Sequence, residues 1–140
     1  MIKKTLATVV MLSSLVLSHS VMAAGLEDDM KTLGKNYKAF NQASTPQAAT
    51  SALNNMRGAA VHAKQYKLKA HTAEKVPSST ALFDQIIVEI DKTKTLAQAG
   101  KLDEAKKQGK KIGELRDQGH KHYAHYWMVV KHVVVSKTVP

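Results

Sequence analysis

Apolar residues recur along this chain at helical intervals, with no strand-like alternation before the last dozen positions. Leu26, Met30, Leu33, Tyr37 and Phe40 step by four, three, four and three, the seam of one amphipathic helix. Glu27, Asp28 and Asp29 fall in its expected first turn, where carboxylates complement the helix dipole. Ser44-Thr45-Pro46-Gln47 reads as a stop and restart: Ser44 caps, Gln47 completes a capping box three residues on, and Pro46 is tolerated in a first turn. The second stripe is Ala49, Leu53, Met56, Ala60 and Ala63, fading near Tyr66. Residues 67–79 are polar and basic, include Pro77 and form the longest loop. A third helix turns Phe83, Ile86, Ile90, Thr93 and Ala97 inward, with Leu82 and Ile87 on its flanks, and stops at Gly100. The fourth aligns Leu102, Ala105, Gly109, Ile112, Arg116, His120 and Tyr123 on one face. Gly109, Gly113 and Gly119 weaken it by up to about 1 kcal/mol each relative to Ala, which fits a helix that something must approach closely.

Four helices, the first and third connections short, predict an all-α fold: an antiparallel up-down-up-down four-helix bundle. Short links force neighbours to be antiparallel. The start of the first helix, the 67–79 loop, the start of the third helix and the end of the fourth then gather at one end, which brings Met30, Phe83, Arg116 and His120 together. From Ala124 to Pro140 the pattern, with Val133-Val134-Val135, fits neither helix nor strand; this stretch prolongs the fourth helix, lies back on the bundle or stays loose.

The N-terminus reads differently. Lys3 and Lys4 precede an apolar run of roughly a dozen residues, too short for a membrane span of about 20, and Val21-Met22-Ala23 offers small residues at a cleavage site. Residues 1–23 are expected to be a cleaved signal peptide, residues 24–127 the bundle and residues 128–140 a tail. An exported product without a membrane span would be periplasmic in a Gram-negative cell. The formal charge is +10, and losing Lys3 and Lys4 leaves +8. That surface favours acidic partners. Outside the cytoplasm nucleic acid is not an expected partner, and aromatics at 5% offer little stacking. The absence of Cys excludes a disulfide framework, a zinc–thiolate site and covalent haem attachment.

A thioether and an imidazole facing each other across a bundle end are the axial donors a noncovalent haem iron takes in an electron-transfer protein. The residues alone leave other readings open: Met30 as plain core, a cofactor-free helical-bundle adaptor, or a divalent-metal binder using His120, His122, His125 and His132. No nucleophile–base pair, phosphate loop or paired-carboxylate site points to an enzyme.

Leu26-Glu27-Asp28-Asp29-Met30-Lys31-Thr32-Leu33, then Met56-Arg57-Gly58-Ala59-Ala60, Phe83-Asp84, Ile90-Asp91, Gly100-Lys101 and Arg116 four residues before His120 together resemble the soluble periplasmic cytochrome b562 family. That family is a standard example of the bundle topology. The resemblance runs from about Leu26 to Tyr123, with a shortening in the 67–79 loop. It implies one noncovalent haem b (iron protoporphyrin IX) per chain, Met30 and His120 as axial ligands of the iron, Phe83 packed on the haem and Arg116 beside its edge. Met56 matches a core methionine. It also implies a monomeric one-electron carrier whose partners are other redox proteins. The basic charge, Gly119 and the apolar tail depart from the family pattern.

Overall fold

The computed structural model describes the backbone of residues 19–70 and 75–136 and the side chains of residues 25–70 and 75–123. Four helices follow one another: α1 (His19–Gln42), α2 (Pro46–Ala63), α3 (Ser79–Gln98) and α4 (Leu102–Ser136). Consecutive helices pack closely, while α1 and α4, which close the ring of neighbours, touch far less, so the bundle has one loosely closed seam. The expected all-α four-helix bundle is the observed fold.

The core is built from the predicted stripes. Leu26, Leu33, Phe40, Leu53, Met56, Ile86, Ile90, Ala105 and Ile112 are buried, joined by small alanines on α2 that let its neighbours approach. Thr93 is fully buried and satisfied, its Oγ1 donating to Glu89 O at 2.7 Å. The helix ends are punctuated by local chemistry. Gly100 has φ 78°, and the bonds Gly100 N to Ala97 O and Lys101 N to Leu96 O, both 3.0 Å, close a Schellman motif after α3. Ser78 caps α3 by accepting from Ala81 N at 3.1 Å.

Two local expectations are corrected. Thr45, not Ser44, caps α2: its extended backbone and its Oγ1, accepting from Ala48 N at 3.1 Å, place Pro46 at the first helical position. Gln47 is then out of register for a capping box. The acidic run 27–29 is not in the first turn of α1, because the helix already begins at His19. Met22, Ala23 and Ala24 are good helix formers and carry the helix backwards. Of the expected signal peptide, residues 1–18 lie outside the described residues. At the other end, α4 runs unbroken to Ser136, so the stretch after Tyr123 prolongs the helix.

Candidate functional site

All four helices contribute walls to one apolar cleft. Met30, Leu33 and Tyr37 come from α1, Met56 from α2, Phe83 and Ile86 from α3, and Ile112 and Arg116 from α4; the cavity between them is about 40 Å³. Three of the four site residues expected from the sequence, Met30, Phe83 and Arg116, therefore meet at one place. Met30 is only half-buried, so its thioether is neither sealed into the core nor free in solvent.

The spacing of α1 against α4 is set on one side of this cleft. A Cβ at Gly109 would run into the ring of Phe40, and one at Gly113 into the ring of Tyr37. Residues four apart on α4 thus receive rings three apart on α1, the pairing expected of antiparallel neighbours. Tyr37 is also covered by Arg116, whose guanidinium carbon lies 5.8 Å from the ring centroid. That cation–π contact is worth about 0.5–1 kcal/mol at a site open to water and holds Arg116 at the mouth of the cleft.

His120 stands one turn beyond Arg116 and does not line the cleft; much of its surface is in solvent. Partial withdrawal of its ring from water, with the positive charge of Arg116, holds its pKa below 6.5, against an opposing pull from Asp117. Both effects favour the neutral imidazole, the form that donates a lone pair to a metal. His122 is the buried histidine, at 5% exposure. It is not an equivalent candidate. At 3.6 residues per turn, six residues carry it about 120° around α4 from Arg116, whereas four carry His120 only about 40°. Among the described residues no group of three or more His, Cys, Asp or Glu is arranged to hold a metal ion, and the side chains of His125 and His132 lie outside them.

Other features at this end escaped the sequence reading. His62 on α2 pairs through Nδ1 with Asp29 Oδ2 at 2.5 Å, beside the backbone of Met30. Tyr66 stacks edge-on against His62 at 5.9 Å. These residues are more than thirty positions from Asp29, and no local pattern joins them. The pairing of Gly109 and Gly113 with Phe40 and Tyr37 was detectable in principle, since two glycines four apart interrupt an otherwise good helix.

The donor set suits a haem. A thioether and an imidazole lie on the two helices that close the loosest seam between neighbours, apolar walls come from Leu33, Ile86 and Ile112, an aromatic ring from Phe83, and one cation from Arg116. Ligands of drug size and above occupy roughly 300–1,000 Å³, so seating a macrocycle here requires the α1–α4 seam to widen.

The sequence model of the Cytochrome b562 family matches residues 25–124. A relative from Yersinia pestis, "Probable soluble cytochrome b562 2", is 34% identical over 125 residues, covering 86% of this chain and 98% of the relative. A second from the same organism, "Probable soluble cytochrome b562 1", is 33% identical over 115 residues, covering 79% and 91%.

Proposed function

Because the chain belongs to the cytochrome b562 family, whose cofactor is a noncovalent b-type haem, we propose that it is a periplasmic one-electron carrier with Met30 and His120 as the axial ligands. The observation that carries this reading is the meeting of Met30, Phe83 and Arg116, from three helices, in one apolar cleft beside the loosest seam of the bundle.

When bound, the haem supplies an iron that alternates between ferric and ferrous. Everything else falls to the polypeptide. Met30 offers a thioether, a soft donor that favours the ferrous form and so raises the reduction potential. His120 offers its neutral imidazole from the opposite helix, its protonation opposed by Arg116. If Met30 and His120 both held the iron, oxygen or a substrate would find no free position on it, which would confine the chemistry to electron transfer. Leu33, Ile86 and Ile112 exclude water from the cleft, and Phe83 supplies a flat apolar face. Arg116, steadied on Tyr37, can pair with carboxylates at the cofactor's edge. The chain has no Cys to form covalent links, so retention rests on coordination and burial.

The test is the absorption spectrum of the protein purified from haem-sufficient cells, oxidised and reduced. Sharp Soret and α bands on reduction are expected. Met30→Ala should give a five-coordinate, high-spin spectrum, and His120→Ala should weaken haem binding further, since imidazole is the stronger donor. Met56→Leu and His122→Ala should retain the six-coordinate spectrum. A Met30→Ala protein with the parent spectrum would remove Met30 as a ligand, and a His122→Ala protein without haem would move the second ligand to His122.

A further inference from the structure

The net charge of +10 is not spread evenly, and two basic clusters compete for attention. One is Lys107, Lys110 and Lys111, exposed on α4 with Lys106 half-buried beside them. The other is Lys67, Lys69 and Lys75, all exposed, on the connection between α2 and α3. None of these three has an ion-pair partner among the described residues, whereas the nearby Lys64 is engaged by Asp84 at 2.6 Å.

The loop lysines stand on anchored backbone. Leu68 packs against the core, and its N–H donates to Ser79 Oγ at 2.9 Å, on a serine only 3% exposed. Lys67 and Lys69 flank it and are exposed. Beyond Lys75, the carbonyl of Pro77 accepts from Tyr123 Oη at 2.5 Å, and Tyr123 is buried. Both ends of the connection are thereby fixed to helices. Ser79 lies one turn before Phe83, so these charges sit at the end of the bundle that holds the cleft.

We infer that Lys67, Lys69 and Lys75 form the docking surface for an acidic protein that exchanges electrons with this chain. The inference rests on the haem-binding reading above. Distance selects this cluster over the other. Lys110 and Lys106 precede His120 by ten and fourteen residues, about 15 and 21 Å along a helix rising 1.5 Å per residue. Lys111 lies nearer, beside Ile112 of the cleft wall. But Pro77, two residues past Lys75, is bonded to Tyr123, three residues past His120, so the loop cluster is the one anchored at the imidazole's end of the bundle, and electron transfer slows exponentially with separation. Among the described residues no large hydrophobic side chain is exposed beside these lysines, so they offer charge alone, which fits a protein better than a lipid surface. Among the described residues the exposed large hydrophobics are Val61 and Val88, on α2 and α3, and Leu68 is turned inward. A contact made of charge alone is small and short-lived, which suits a carrier that must leave after one electron.

The experiment uses the haem-loaded full chain. Electron exchange with reduced flavodoxin, a small acidic redox protein, is followed by stopped flow across a range of ionic strength. Two variants are compared, K67Q/K69Q/K75Q and K106Q/K107Q/K110Q/K111Q. Neither removes a side chain from the cleft, so both should keep the parent spectrum. At low salt the triple variant should react about tenfold more slowly, with a flattened salt dependence, while the quadruple variant, despite losing more charge, changes less than the triple. A larger effect in the quadruple variant would move docking to α4, and equal small effects would abolish the surface. Co-sedimentation of the parent chain with phosphatidylglycerol vesicles, lost in the triple variant, would make it a lipid-binding surface instead and overturn the inference. A parent protein that purifies without haem would overturn the prior reading, a result distinct from all of these.

Discussion

Replacing Gly109 by Ala should destabilise the bundle even though alanine is the better helix former. The added methyl would lie inside contact distance of the Phe40 ring, and Phe40 is completely buried, so the ring has nowhere to turn. Forcing a methyl into a filled core costs about 1–3 kcal/mol. The exchange also gains about 1 kcal/mol of helix propensity, leaving a net loss of about 1 kcal/mol. Gly58 is the control: it is exposed on α2, a Cβ there meets nothing within 4 Å, and Gly58→Ala should keep the whole gain of about 1 kcal/mol. The two variants should therefore differ by about 2 kcal/mol, or roughly 8–16 °C in Tm at 4–8 °C per kcal/mol for a domain near this size. Gly113→Ala should fall between them, because the atom it meets is the hydroxyl end of Tyr37, whose half-exposed ring can tilt outward. Urea and thermal unfolding followed by circular dichroism would decide it. The measurement belongs on haem-free protein, since a ligand that binds only the folded state adds its own stabilisation. If Gly109→Ala proved as stable as Gly58→Ala, the close α1–α4 approach inferred here would be wrong.

Arg116→Gln should raise the His120 pKa, because a positive charge that opposes protonation is removed. The sign for stability follows: a histidine depressed in the folded state costs stability as pH falls below its unfolded value near 6.5, since the unfolded chain takes up the proton first. The haem-free variant should thus lose less stability below pH 6.5 than the parent, while the haem-loaded variant should release its cofactor at higher pH as protons compete better for the imidazole. An NMR titration of His120 and an absorbance titration check the two halves; an unchanged His120 titration would show that Arg116 does not act on it. Thr45→Ala should cost about 1 kcal/mol by unpairing the Ala48 N–H, and Ser44→Ala close to nothing. The reverse order in urea unfolding would restore Ser44 as the cap.

The helices and their inner faces were legible because each stripe obeys one rule, burial at intervals of three and four, and nothing on α2 or α3 contradicts it. Topology then sufficed to bring Met30, Phe83 and Arg116 together. What the sequence could not reveal depends on fine angles or on distant partners. His120 shares a stripe with Ile112 and Arg116 yet keeps much of its surface in solvent, and His122 is buried instead. The Asp29–His62 pair joins residues 33 apart. The Ser44–Thr45 ambiguity is intrinsic, since both residues cap well and one position decides which turn Pro46 enters.

The cleft takes a wall from every helix. If this cleft holds the cofactor, a partly folded chain missing any one helix has no receptacle, and capture would be a late event that follows assembly of the four helices. Once seated, it resists departure of each segment equally, and its supply would govern how long the polypeptide survives proteases that attack transiently opened forms.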